Sequence, residues 1–600
     1  MSILFRRVFI IMALLVAGCQ TVAPTPDTPA DIQGNSAALK VSGERGYLVV
    51  APDRGFMGNQ EIREIFAPFS HKESAELVFV TDVEKTSARL ESGVNALRAR
   101  GAKDVIVLPL FVSENHPGLK LARAALERNA ALKLTYARAL GQSYLGVELL
   151  ADRLREVETP DQKHLVVVGF GASSEADQHA MQKDYLHLAK QAAQGFDFPS
   201  IDVVIWPAWS AEDKSLNAKA AAQFAAATSS QQVVVVPFHL GMKLDGMMTF
   251  DGMVLARLVH KAGQSGGHHE PQAEAQHAHH GAHHAHAKSA PQGKRQVTLI
   301  KSGITPDPLV GLWMQREANR FVPLNARNVG VVVLAHGSNF DWNETMREAI
   351  RPLEDHYMIE YGFSMADRAV TGDAIRRLEA RGARAVVVVR VFGLASSFER
   401  SVQKLLGLDI EFPAAADHKA GAHGHGHGHG PSTPGKRIRT SAVTTTLGGL
   451  EDHAIFAKAL TERLAEISTN PAEETVILAA HGMGNDAQNA HWLEILASLS
   501  AQIKAQSGVE YRAFHFGTWR EDWPDKRQEW VPKMRQWVAD ASKEGGRALV
   551  IPARTNGQGP ADALLEGLDY TLGSGFAPHA LFANWFEDQI QQGIKQLEAQ

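Results

Sequence analysis

Val332 to Asn339 reads VVLAHGSN, and Val476 to Met483 reads VILAAHGM. Each is an apolar run that stops at a histidine followed by glycine. Continuous Val, Leu and Ala without polar alternation is the pattern of a strand covered on both faces, as in a parallel sheet flanked by helices. Ligands of such sheets bind outside the carboxyl ends of the strands. His336 and His481 are therefore candidate catalytic and metal-ligating residues. Gly337, Ser338 and Gly482 are candidate ligand-binding positions, because glycine turns the chain sharply and leaves room for close approach.

Related openings occur at Tyr47 (YLVVAPDRG) and Leu165 (LVVVGFGAS), so the pattern begins four times. Each opens a unit of roughly 120 to 165 residues, the size of a domain. A further apolar run recurs within each unit: DVIVLPLFVSENH ending at His116, QVVVVPFHLGMK from Gln232, AVVVVRVFGLASS from Ala385 and ALVIPARTNGQG from Ala548. Every unit then closes on a glycine turn and a helix. Strand, helix, strand, helix predicts an α/β fold with a parallel sheet in each unit. The expected half-domains are residues 46–160, 161–325, 326–470 and 471–600, arranged as two two-lobed units. His116, at the tip of the third strand of the first unit, is a third candidate catalytic residue.

The beginning of the chain, MSILFRRVFIIMALLVAGCQ, has two arginines, an apolar stretch and small residues before Cys19. This is the pattern of a secretory signal, residues 1–18, ending in a lipobox, followed by a linker over 19–45. The apolar stretch is too short to remain as a bilayer-spanning helix, whereas lipidation of the Cys19 thiol would tether the mature chain. Gln20 after the cysteine resembles the outer-membrane form of this signal, so the expected place is the cell envelope, lipid-anchored on the periplasmic face of the outer membrane. Cys19 is the only cysteine, which excludes an intramolecular disulfide and a thiolate metal site. A net charge of −5 and the lack of a basic patch argue against a nucleic-acid partner. GFGASS lacks the third glycine of a dinucleotide fingerprint and GQSGG has no strand before it, so neither a nucleotide cofactor nor a serine nucleophile is expected.

Two low-complexity inserts, 263–293 and 415–435, interrupt the second and third units at equivalent places. The first holds His268, His269, His277, His279, His280, His283, His284 and His286, and the second His418, His423, His425, His427 and His429. Closely spaced imidazoles on a Gly- and Ala-rich backbone suit borderline divalent metals and argue for metal buffering.

Together, AHGS after a first strand, PLFVSENH after a third strand, the glycine turns and the histidine-rich inserts resemble the class II chelatases, the family of sirohydrochlorin cobaltochelatases and ferrochelatase relatives. The resemblance covers about Gly46 to Gln592. It implies insertion of a divalent metal, Co²⁺ before Ni²⁺, Fe²⁺ or Zn²⁺, into a tetrapyrrole such as sirohydrochlorin. It also implies a metal site built from a first-strand histidine, a third-strand histidine and a glutamate after the second strand. The four units depart from that set. The first keeps His116 but has Pro52-Asp53 and Thr81-Asp82 at the other positions. The second has Phe170 and is read as having no third-strand histidine. The third keeps His336 but ends its third strand in Ser396-Ser397, and the fourth keeps His481 with Gly559 opposite. His336 and His481 from two lobes could rebuild a shared site, with His515 as a further member. The rival readings are a non-catalytic metal-binding or metallochaperone lipoprotein and a tetrapyrrole-binding protein without metal insertion.

Overall fold

The computed structural model describes residues 44–128, 133–240, 254–264, 295–300, 303–410 and 435–600. The signal segment, Cys19 and all thirteen tract histidines lie outside these residues. Gly263 and Gln264, the first positions of the first insert, end helix Ala256–Gln264.

Among the described residues, sixteen strands form four sheets of four. In lobe 1, β1 (Arg45–Pro52), β2 (Ala75–Val80), β3 (Asp104–Pro109) and β4 (Lys133–Tyr136) lie in the order β2-β1-β3-β4. Lobe 2 repeats the order with β5 (His164–Ala172), β6 (Ile201–Pro207), β7 (Gln232–Pro237) and β8 (Gln296–Leu299). Lobe 3 uses β9 (Val329–Ala335), β10 (Met358–Tyr361), β11 (Ala385–Val391) and β12 (Val443–Gly448). Lobe 4 uses β13 (Glu474–Ala480), β14 (Ala513–Thr518), β15 (Arg547–Pro552) and β16 (Thr571–Leu572). All neighbouring strands are parallel. The first strand of each lobe is central beside the third, which is why these two carry the longest apolar runs. The fourth strands of lobes 1, 2 and 4 are short, mostly half-exposed edges, whereas β12 has six residues and is mostly buried; KLTY or QVTL gives no buried-strand signal in the sequence.

Alternate residues of each central strand enter different cores. Val49 and Ala51 face a large core shared by lobes 1 and 2, whereas Leu48 and Val50 face a smaller core of lobe 1 alone. Val331, Val333 and Ala335 likewise enter the core shared by lobes 3 and 4, and Val332 and Leu334 the outer core of lobe 3. The shared cores make two two-lobed units.

The closing helices build those cores. Helix Tyr144–Leu154 of lobe 1 packs on helix Glu175–Ala192 of lobe 2, and helix Pro308–Asn319 of lobe 2 packs back on helix Gly55–Ser70 of lobe 1. Lobes 3 and 4 repeat the exchange, with Ala454–Ile467 on Asp486–Ser507 and Ala580–Glu598 on Phe340–Ile350. All four closing helices start the same way: Ser143, Asp307, His453 and His579 accept a hydrogen bond from the backbone N–H two residues on.

The two halves meet through polar groups. The Tyr144 hydroxyl donates to the Ile438 carbonyl at 3.1 Å, and Asn319 Nδ2 donates to the Ser441 carbonyl at 2.8 Å. Glu148, fully buried, accepts from Arg437 at 3.1 Å and from Arg155 at 3.3 Å, while Asp152 takes Arg439 and Arg155. A buried carboxylate that holds two cations is costly to remove, because the arginines lose hydrogen bonds they cannot replace with water. Glu148→Ala is expected to destabilise the contact between the halves by roughly 1.5–3 kcal/mol, the range for hydrogen bonds to charged groups. Urea unfolding should register this as an earlier transition, and an unchanged midpoint would show that the cluster contributes nothing.

Candidate functional site

The loops at the carboxyl ends of the strands meet crosswise in both units. In the N-terminal unit the loop after β1 touches the loop after β7: Arg54 Nη2 lies 3.2 Å from His239 Nδ1, and its guanidinium sits 4.9 Å from the Phe170 ring centre. The loop after β3 reaches the end of β5, where a side chain on Gly171 would collide with the His116 ring. In the C-terminal unit Asn556, after β15, donates to the Trp342 carbonyl at 2.9 Å, and Trp492 of lobe 4 fills the space beside Gly393 after β11.

His116 is the N-cap of helix Pro117–Glu127, with Nδ1 accepting from the Gly118 N–H at 3.0 Å and the ring packed on Phe111. Burial, and after it the charge of Arg54, pushes its imidazole down to about 4. It is therefore neutral at ordinary pH. Pro52, Arg54, His116, Phe170, Tyr185 and His239 leave a gap of only about 20 Å³ between them, room for roughly one water. The reading of lobe 2 as lacking a third-strand histidine is corrected here. His239 follows β7 by two residues, is buried, and faces lobe 1. It is missed in sequence because the matching histidine of lobe 1, His116, follows β3 by seven residues.

His336 and His481 occupy equivalent positions, each just beyond the end of the first strand of its lobe. Each places Nδ1 against the carbonyl of the following glycine, 2.6 Å for Gly337 and 2.8 Å for Gly482. Those glycines have φ of +76° and +86°, which a side chain would strain. The arrangement fixes the Nδ1–H tautomer and directs Nε2 outward, as in metal-ligating histidines. His336 is exposed and its Nε2 has no partner among the described residues.

His481 Nε2 instead lies 2.9 Å from Glu521 Oε1 and 3.0 Å from Asp522 Oδ2, between Trp492 and Trp523. Arg554 grips Glu521 with two hydrogen bonds of 2.9 and 3.0 Å. Buried Arg520 ties down the same loop through the Met483 and Gly484 carbonyls. Burial raises the Glu521 carboxyl, but the bonds from His481 and Arg554 outweigh it and hold it at about 2. Burial lowers the His481 imidazole, and the bond and charge of Glu521 overcome this, leaving it above the usual histidine value. His481 and Glu521 therefore form an ion pair at mildly acid pH.

Glu521 follows β14, the second strand of lobe 4. The signal for it was the carboxylate pair in TWREDWP, directly after the AFHFG strand. His515 lies mid-strand, stacked flat on Trp537 at 4.7 Å, three residues before the end of β14. Among the described residues no group of three or more His, Cys, Asp or Glu side chains is close enough to hold a metal. Exposed apolar residues stand near the strand tips in both units: Phe56, Met57 and Trp209 in one, Phe340 and Met365 in the other.

The CbiX family model matches residues 54–157. Lobe 1 is therefore similar to the CbiX chelatases. Chelatase-like lobe 1 accounts for that match, and the other three lobes repeat its strand order. Curated relatives include the sirohydrochlorin cobaltochelatases of Saccharolobus islandicus strain L.S.2.15 and Saccharolobus solfataricus strain P2. Both are 30% identical over 84 residues, which is 14% of this chain. The chain spans 66% of the length of these relatives. Solved structures similar to this chain include SirB from Bacillus subtilis with Fe³⁺, at 16% identity and a TM-score of 0.30, covering 44% of this chain and 91% of SirB. DR2241 from Deinococcus radiodurans, a multi-domain protein, gives 15% identity and a TM-score of 0.30, covering 44% and 55%.

The ion pair has a defined pH signature. A raised histidine stabilises the fold below its unfolded value of about 6.5 and loses that contribution as pH rises through its folded value. A depressed glutamate stabilises above its unfolded value near 4.5 and loses it as pH falls toward about 2. The pair is thus strongest between about pH 4.5 and 6.5. Glu521→Gln should lower the titration midpoint of His481 seen by NMR, because burial remains while the carboxylate is gone. It should also cost stability mainly inside that pH window, and an unmoved midpoint would refute the pairing.

Proposed function

We propose that this protein inserts a divalent metal, with Co²⁺ favoured, into a tetrapyrrole such as sirohydrochlorin, and that the C-terminal unit does so. The observation that carries this reading is a pair of equivalent but differently equipped histidines, each at the tip of its lobe's first strand, beside segments that meet the third-strand loop of the other lobe. His336 offers a fixed, exposed Nε2, and His481 is backed by Glu521 and Asp522. Insertion exchanges two pyrrole protons for one dication, so it needs a ligand that holds the metal briefly and bases that take the protons. His336 suits the first task, since neutral imidazole binds borderline metals. His481, once deprotonated, suits the second, with Glu521 and Asp522 stabilising the imidazolium that forms. Phe340 and Met365 offer an apolar surface to a macrocycle. The N-terminal unit is a poorer candidate, because its His116 is buried and engaged as a helix cap.

The histidine tracts, in this reading, raise the local metal concentration beside the site, an effect that matters when free metal is scarce. The lipobox assigns the mature chain to the cell envelope through lipid on Cys19, and among the described residues no helix is long and apolar enough to cross a membrane.

Metal-free sirohydrochlorin and Co²⁺, mixed with the purified mature chain and followed by absorption, should show insertion above the spontaneous rate. His336→Ala and His481→Ala should each lose on the order of 10²-fold, the usual scale of an acid–base group, whereas His116→Ala should keep most activity if it folds. The rate should rise as pH passes upward through the His481 value. Activity that depends on His116 and ignores His336 would place the reaction in the other unit, and bound Co²⁺ without insertion would favour storage. Cys19→Ser should release the protein from the membrane fraction or leave the precursor uncut. Unchanged membrane retention of a correctly sized product would exclude the anchor.

A further inference from the structure

A cavity of about 450 Å³ lies where the two halves meet, and all four lobes line it. Lobe 1 contributes Arg138, lobe 2 Arg316 and Arg320, lobe 3 Gln403 and Thr446, and lobe 4 Gln596. It is separate from the strand-tip loops that carry His336 and His481, and no single two-lobed unit could form it.

Among the described residues its wall carries three guanidinium groups and one acidic side chain. Arg316 is 2% exposed and stacks over the Tyr144 ring at 4.7 Å. Two of its nitrogens donate to the Ala442 carbonyl and to Thr444 Oγ1, but its buried Nε has no hydrogen-bond partner among the described residues. Arg138 lines the same cavity with no hydrogen bond or ion pair among the described residues. Burial, and then the nearby charge of Arg320, outweighs the opposing charge of Glu317 and holds its guanidinium below the usual arginine value. Arg320 bonds to buried Glu317 at 3.2 Å. Among the described residues the acidic side chain on the wall is Glu399, which lies 3.8 Å from Arg390. Three guanidinium groups thus face one cavity, and Glu317, the buried carboxylate whose charge reaches all three, is hydrogen-bonded to Arg320 alone among them. Guanidinium forks match the paired oxygens of carboxylates and phosphates, and buried arginine is most stable when so paired.

We propose that this four-lobe cavity is a binding site for a small multivalent oxyanion, a di- or tricarboxylate or a phosphate ester, held by Arg138, Arg316 and Arg320. The volume is in the range of small-molecule sites. Gln403, Gln596 and Thr446 supply further donors at the wall. Because the site exists only when the halves are together, its occupant stabilises the assembled chain by mass action.

The test uses the full mature chain, without metal or tetrapyrrole, so its outcome is independent of the insertion reaction. Citrate and inorganic phosphate are titrated by calorimetry and thermal unfolding, with sodium chloride matched for ionic strength. At least one probe should bind saturably at one per chain and raise the unfolding temperature. Binding of citrate alone identifies a carboxylate ligand, and binding of phosphate alone a phosphorylated one. Arg138→Gln should weaken the binding at least tenfold, and Gln403→Leu, on the opposite half, should weaken it as well. Arg368→Gln, on the surface of lobe 3 away from the cavity, should leave it unchanged. Absence of saturable binding by both probes, or binding that Arg138→Gln and Gln403→Leu leave intact, would overturn the proposal.

Discussion

Reciprocal exchange of closing helices is the constraint on which the rest of the molecule depends. A single lobe has a four-stranded sheet with two apolar faces, and its own helices cover only one of them fully. The other face is covered when the last helix of each lobe lies across the first helix of its partner, which brings Trp313 and Trp585 into the shared cores with no exposed surface. Burying a large apolar side chain contributes about 1.5–3 kcal/mol each, so a lobe separated from its partner would forfeit many such terms. The exchange also sets the geometry of function. It turns the carboxyl ends of two sheets toward one another, so that loops after the first strand of one lobe meet loops after the third strand of the other.

The two units have used that shared frame differently. In the N-terminal unit the crosswise contact has become packing: Arg54 lies on Phe170 and against His239, and His116 caps a helix. In the C-terminal unit the equivalent positions keep polar groups at the surface, with His336 open and His481 held by Glu521. Lobe 3 has no carboxylate directly after β10, and lobe 4 supplies Glu521 and Asp522 after β14. Neither lobe alone holds the family's set of metal-site residues. Arg390 explains part of the departure in lobe 3: it is buried on β11 and binds the Ser397 carbonyl, so it anchors the loop where a third-strand histidine would stand.

Much of the frame was legible in the chain itself. Apolar runs such as VVVLA and VILAA can lie only where both faces are covered, because each exposed apolar side chain forgoes its burial energy; hence the four parallel sheets and the strand-tip histidines could be read directly. The fourth strands of lobes 1, 2 and 4 could not, since edge strands half-exposed to water tolerate polar residues and carry no distinctive pattern. His239 was hidden by loop length, and Glu521 by the distance in sequence from His481, forty residues that the fold reduces to a 2.9 Å contact.

Local sequence therefore determined which residues form strands, which histidines stand at their tips, and that the unit is repeated four times, because burial on two faces and glycine turns are properties of short segments. Tertiary structure alone decided which histidine is a helix cap, which is paired with a carboxylate and which is left open. Those outcomes depend on what the partner lobe places opposite each loop. The same is true of the arginine-lined cavity between the halves, whose walls come from segments more than four hundred residues apart and become neighbours only when all four lobes are packed together.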